Sequence, residues 1–255
     1  MLWYKSWLET RWRFLIGLGL LLLSAAASVL TYPELAKLLS LMPQHDLSGP
    51  IGRRVAEALE VSRDYRGYLW SQWFVQKMPQ LGTLFAVLLG TGGLLSQASG
   101  GGGLFTLSLP VTRRRVLGVR AATGLLEWLV LAFVPSLLLP LLSPSIGESY
   151  AIADTLVHSA CVFVGGAVFF SLAFVLSSVF SDVWRPSLIV LCVAAVLAFF
   201  ELVVRELSRI SPFGVMSAEL YFRGGGVPWL GLLASAAVSV LMLYAASRNM
   251  ARQDF

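Results

Sequence analysis

Six stretches of about twenty mainly apolar residues, at roughly 14 to 32, 79 to 98, 119 to 142, 153 to 180, 186 to 204 and 229 to 247, dominate the sequence. The hydrocarbon core of a bilayer is about 30 Å thick and an α-helix rises about 1.5 Å per residue, so each stretch is long enough to cross once. With 57% hydrophobic and only 13% charged residues among 255, the chain carries more apolar surface than a water-soluble fold of its size can bury. The expected fold is an all-α integral membrane protein with six transmembrane helices, forming a single transmembrane domain over 1–255. Continuous runs, not alternating ten-residue segments, exclude a transmembrane β-barrel. The fourth run can tilt, or break at Gly165-Gly166, where small side chains also let a neighbouring helix approach.

Charge sets the orientation. Three consecutive arginines, Arg113, Arg114 and Arg115, follow the second run and cannot sit in hydrocarbon, and cationic loops between spans are biased to the cytoplasm. With the N-terminus inside, Lys5, Arg11, Arg13, Arg113, Arg114, Arg115, Arg120, Arg185, Arg248 and Arg252 fall on the cytoplasmic side, against the acids Glu9, Asp182 and Asp254. The opposite side holds nearly as many basic residues. Most of them lie in the long segment 33–78, where five acids are interspersed and the bias counts for less. Cytoplasmic N- and C-termini are the expectation. The first run reads as a retained span, because Trp3, Tyr4, Trp7 and Trp12 precede it and no small-residue cleavage site follows.

Between the spans the sequence is less explicit. Residues 1–13 read as an interfacial amphipathic helix: Trp3, Tyr4, Trp7, Leu8 and Trp12 share one half of the helical wheel, and Lys5, Ser6, Glu9, Thr10 and Arg13 the other. Its rings belong at headgroup depth, its basic groups against anionic lipid, and its end bends into the first span. The extracytoplasmic segment 33–78 reads as a membrane-surface cap or a substrate vestibule, with Tyr68, Leu69, Trp70, Trp73 and Phe74 as an interfacial belt. Residues 143–152 are a turn. Residues 205–228 are a solvated mixed-charge loop or a short lateral helix that re-enters the membrane surface.

No enzyme signature is present. Gly100 to Gly103 lack the Gly-Lys-Ser/Thr of a phosphate-binding loop, so they read as a flexible lead into the basic turn. Asp154 and His158, four residues apart, can pair; with Glu127 they are the candidate intramembrane polar residues. A span carboxylate such as Glu127 serves either helix packing or a transport path. Glu201 and Arg205 form a possible i, i+4 pair. No metal-ligand spacing occurs, Cys161 and Cys192 read as small apolar residues, and the net charge of +5 reflects topology, not nucleic-acid binding.

The stretch Leu107-Ser108-Leu109-Pro110-Val111-Thr112-Arg113-Arg114-Arg115-Val116-Leu117, with Arg120, sits between the second and third spans. In that position it resembles the Pro-Val-Ser/Thr-Arg motif of the ABC type 2 permeases, the membrane subunits of half-size ABC exporters. The six spans and the N-terminal amphipathic helix are similar to that family over the whole chain. The glycines replace the family's Gly-Thr-Leu, and Gln97 stands where a glutamate is common, which removes that acid's salt bridge. The resemblance implies a multi-pass protein of the cell membrane, the bacterial inner membrane. It implies a dimer with a second permease subunit, and a separate cytoplasmic ATP-binding subunit that carries ATP and Mg while this chain binds no cofactor.

It also implies that the loop 97–118 is the coupling element, with Gln97, Leu109, Pro110, Val111, Thr112, Arg113, Arg114 and Arg115 contacting the ATPase, and that residues 1–13, with Trp3, Trp7 and Trp12, form the connecting helix. The small residues Gly82, Gly90, Gly92, Gly93, Gly165 and Gly166 are candidates for close contacts between or within subunits. The resemblance implies export, and a lining of Phe, Leu and Val suits an amphiphilic or lipid-like cargo. A proton-coupled secondary carrier using Asp154, His158 or Glu127, and a non-transporting membrane scaffold, are the alternatives.

Overall fold

The structure is a computed structural model that describes residues 2–41, 59–92, 113–180, 182–204 and 210–252, and the described residues contain no strand. Helix α1 spans Leu2–Leu30 and α2 Tyr32–Leu41. Helix α3 runs as an α-turn Tyr65–Leu69, a π-helix Trp70–Gly82 and an α-helix Thr83–Gly90, and the junction residues keep right-handed helical dihedrals throughout. Helix α4 is Arg113–Leu142, closed by a 3-10 turn Ser143–Ile146; α5 is Ile152–Ser177 and α6 is Trp184–Val203. Two short helices, α7 (Pro212–Ser217) and α8 (Glu219–Phe222), lead to α9 (Trp229–Arg252).

Five helices are long and apolar enough to cross a membrane: Leu2–Leu30, Arg115–Ile146, Ile152–Ser177, Trp184–Glu201 and Trp229–Asn249. They correspond to the first, third, fourth, fifth and sixth sequence runs. The second run, placed at 79–98, coincides with α3 only over its last turns. The helix begins at Tyr65 instead, and the residues beyond Gly92 in that run lie outside the described ones.

Helix α5 is the hub. Its most apolar stretch is 67% buried, against 22% for the outer helices α6 and α9, and it packs against α3, α4, α6, α7 and α9. The reason is close approach. A Cβ on Gly166 would collide with the indole of Trp128 from α4, and one on Gly165 would fall 2.5 Å from Met216 of α7. On the α3 side, Gly90 leaves no room for a Cβ beside the backbone of Phe170. Each indole that enters this core finds an acceptor: Trp128 Nε1 donates to Phe163 O at 2.9 Å and Trp73 Nε1 to Ser136 Oγ at 3.0 Å. Helix α1 packs along α4 at one side of the bundle.

Several expectations are corrected here. Helix α1 is continuous through residue 13, so the amphipathic segment is the first part of one 29-residue helix and not an element separate from the span. No Pro or Gly interrupts residues 10–16, and an unbroken helix satisfies its own backbone. The belt residues Tyr68, Leu69, Trp70, Trp73 and Phe74 are buried in the core, not at an interface. Arg113 to Arg115 form the first turn of α4 and not a loop, because the sequence from there to Leu117 contains no breaker. Residues 212–222 are the short packed helices, with Val215 and Met216 buried, and not a solvated loop. Helix α5 is unbroken at Gly165-Gly166, and Gly82, Gly90, Gly165 and Gly166 make close contacts within this subunit, one of the two alternatives expected for them.

Gly166→Ala should therefore lower the unfolding free energy by about 1–3 kcal/mol through overpacking against Trp128. Gly118→Ala, where a Cβ meets nothing within 4 Å, should raise it by up to about 1 kcal/mol through helix propensity. Thermal unfolding of the purified chain in mild detergent compares the two.

Candidate functional site

The polar half of the α1 wheel turns inward. Ser6 and Thr10 are buried, whereas Trp3, Tyr4, Trp7 and Trp12 are exposed. The sequence divided the wheel correctly but assigned the polar face to lipid; it docks on α3 and α4. Glu9 Oε2 pairs with Arg120 Nη1 of α4 at 2.8 Å, with the Arg120 side chain 10% and the Glu9 side chain 27% exposed. One residue on, Thr10 donates its hydroxyl to Glu127 Oε1 at 2.6 Å. Glu127 is thus a packing contact between α1 and α4, and its Oε2 is buried without a partner.

Arg13 completes the arrangement. Its Nη1 donates to Leu88 O at 2.9 Å and to Thr91 O at 2.8 Å, which are carbonyls at the C-terminus of α3 with no helical donor left to them. A cation there also meets the negative end of the helix dipole. Thr91 Oγ1 lies 3.2 Å from Ser187 Oγ of α6. Gly92 follows with φ +115, a left-handed conformation suited to glycine, and a Cβ on it would fall 2.6 Å from Arg120 Nη2 and 3.3 Å from Arg13 Nη1.

Gly92, the last described residue before 93–112, therefore sits against two guanidinium groups, and Arg113, the first described residue after it, opens the helix that carries Arg120. Helix α1 holds the end of α3 through Arg13 and α4, two turns in, through Glu9. At the same end of the bundle, Asn249 Nδ2 of α9 reaches Ser178 Oγ, just past α5, at 3.1 Å. The sequence candidates Gln97, Leu109, Pro110, Val111 and Thr112 lie outside the described residues; Arg115 is exposed on the first turn of α4.

At the opposite end the expected Asp154–His158 side-chain pair does not form. His158 Nδ1 lies 2.7 Å from the Asp154 carbonyl oxygen, one turn back, while the Asp154 carboxylate accepts from Arg66 Nε at 2.8 Å and from Tyr221 Oη at 3.0 Å. An arginine from α3 competes better for a carboxylate than a neutral imidazole does. The His158 ring instead packs between Phe74 and Tyr221, with centroids 4.6 Å and 5.4 Å away. Burial, with Asp154 adding in the same direction, pushes the Tyr150 phenol above its usual range, so it stays neutral. Glu201 accepts weakly from Gly214 N at 3.3 Å, and Arg205 lies outside the described residues.

Among the described residues no group of three or more His, Cys, Asp and Glu is placed to hold a metal ion. Cys161 and Cys192 are free thiols. Sequence reasoning missed the roles of Glu9, Arg13 and Arg120 as one unit. The available signal was a Ser-Glu-Thr-Arg stripe opposite a tryptophan face on a helix continuous with a span, which reads as a docking face once the rings are assigned to lipid.

No protein-family model matches the chain, and neither a curated protein nor a solved structure matches it.

Removing either partner of the Glu9–Arg120 pair, as Glu9→Gln or Arg120→Gln, should cost about 1–3 kcal/mol, less than a fully buried pair because Glu9 is partly exposed. The double variant should cost less than the sum of the singles. A thermodynamic cycle measured by detergent-phase unfolding checks this, and strict additivity would mean the two residues are not coupled.

Proposed function

We propose that this chain is the transmembrane permease subunit of an ABC exporter, working as a dimer with a second permease subunit and driven by a separate ATP-binding subunit. In this reading α3 is the second of six spans. The described N-terminal end, the C-terminal end of α9 and the segment 93–112 face the cytoplasm, as the arginine distribution favours. The ATPase docks on residues 97–115 and holds the ATP and Mg, and this chain hydrolyses nothing.

The observation that carries the reading is the clamp that α1 places on the helices before and after the 93–112 segment, Arg13 on the C-terminus of α3 and Glu9 on Arg120 two turns into α4. A loop that merely joins two spans needs no such attachment, and burying ionised groups to make one is expensive. A loop that must deliver force does need it. Through Arg13, Thr91 and Arg120 a displacement of the segment reaches α1, α3, α4 and α6 together, and α5 packs against α3, α4 and α6. ATP binding that draws the partner subunits together would move these helices as a body and change the side to which a cavity at the dimer interface opens. An amphiphilic or lipid-like cargo suits the apolar outer helices, which expose Leu188, Val196 and Phe199 on α6.

Purification of the tagged chain from its native membrane in mild detergent should bring with it a nucleotide-binding protein and a lipid-stimulated ATPase activity. Arg113→Ala/Arg114→Ala/Arg115→Ala should lose most of both. Recovery of a folded chain without any ATPase, under conditions that keep other membrane complexes intact, would contradict the permease reading. Transport that then follows a proton gradient would make it a carrier, and no transport at all a scaffold.

A further inference from the structure

Helix α3 is unusual on its outward side. Between Ser71 and Gln80 its positions that are not buried are Ser71, Gln72, Val75, Gln76, Lys77 and Gln80, all polar but Val75. Further along, the positions that are not buried are Leu81, Leu84 and Leu88. A span that faced lipid along its whole length would be apolar throughout, so the polar band marks a surface meant for something other than acyl chains.

Lys77 is the charged member of the band. It lies thirteen residues before Gly90, so at rises of at most about 1.5 Å per residue it is within about 20 Å of the Arg13 clamp. That places it at hydrocarbon depth if Gly90 lies near the membrane surface. Its Nζ donates to Ser28 Oγ of α1 at 2.7 Å, and Ser28 in turn donates to Ser24 O at 2.8 Å. No carboxylate among the described residues pairs with it. Arg66, Arg120, Arg185 and Arg223 all have acidic partners. A hydroxyl is a weak counterpart for an ammonium at that depth, and an intramembrane cation in this situation calls for an anion. The π-helix that carries Lys77 adds to this, since departures from α-geometry within a span cluster at functional positions.

We propose that Lys77, on the outward polar band of α3, binds the anionic headgroup of an amphiphile, a phosphate or a carboxylate, whose chain lies along Leu81, Leu84 and Leu88. Gln76 and Gln80 supply amide donors beside the charge, and the leucines follow where the acyl chain must go. The binding site rests on α3 being a span, as it is in the permease reading, and naming this amphiphile as the transported cargo rests on the rest of that reading.

The test incubates the full chain, in dodecyl maltoside micelles, with equimolar phosphatidylglycerol, palmitate and phosphatidylcholine, and reads retained lipid by native mass spectrometry. The wild-type chain should retain phosphatidylglycerol or palmitate at least about tenfold over phosphatidylcholine, and the better of the two identifies the headgroup. Lys77→Gln should lose that preference, Lys77→Arg should keep it, and Arg185→Gln, an exposed charge elsewhere, should leave it unchanged. Lys77→Met should unfold at a higher temperature than wild type in neutral micelles, because it removes an uncompensated charge. Wild-type retention by Lys77→Gln, equal retention of phosphatidylcholine, or a lower unfolding temperature for Lys77→Met would overturn the proposal. The measurement needs no ATPase, so failure of the co-purification leaves it standing, and loss of lipid binding leaves the co-purification untouched.

Discussion

A polar group carried into hydrocarbon has to find its partner inside the protein, and the internal order of this bundle follows from how that demand is met. Helix α1 cannot leave Glu9, Thr10 and Arg13 facing lipid, so it rotates its tryptophans outward and presents those residues to α3 and α4. The same demand explains smaller contacts. Ser136 bonds back to Ala132 O at 2.9 Å while accepting from Trp73, and Trp128 reaches a carbonyl that the close approach at Gly166 brings near. Once these partners are fixed, the apolar side chains have one arrangement that fills the space between them.

Two kinds of attachment result, and they suit different tasks. Around its middle, the contacts of α5 are steric: glycines against Trp128, Met216 and the Phe170 backbone, with its one ion pair, Asp154–Arg66, confined to its first turn. Such an interface holds helices at fixed separation and lets them move as a body. Near its N-terminus the contacts of α1 are ionic and directional, and they fall beside Gly92, the last described residue at the end of α3, and on Arg120 of α4. Force applied to the 93–112 segment would be resisted by charge-assisted bonds and passed into the steric hub through α3 and α4. The far end differs again. Arg66, Asp154 and Tyr221 tie α3, α5 and the short helix α8 together, and Trp70 stacks on Phe222 at 4.2 Å.

The sequence made some of this legible and hid the rest for physical reasons. Long apolar runs report their own length, so four of the five long apolar helices were readable within a few residues, while the first begins at Leu2, twelve residues before its run. The helix wheel of residues 3–13 separated rings from polar groups correctly, but a wheel has no outside: which half meets protein depends on Arg120 and Glu127, more than a hundred residues away. Helix α3 was misplaced because Gln72, Gln76, Lys77 and Gln80 depress its apolar signal, while Trp73 and Phe74, the residues that anchor it in the core, also suit an interface. The Asp154–His158 spacing was real but lost to Arg66, a competitor that local spacing cannot reveal. Of the proposed coupling residues, Arg115 is found exposed at the start of α4, which leaves it accessible to a partner.

The central claim is that the 93–112 segment is where an ATPase pushes. A photo-crosslinking amino acid placed at Val111 in the full chain, activated in the native membrane, tests it most directly. The account predicts a crosslinked product containing a nucleotide-binding subunit, with a yield that changes when ATP is trapped in that subunit. Crosslinks confined to lipid, or to proteins that bind no nucleotide, would contradict it.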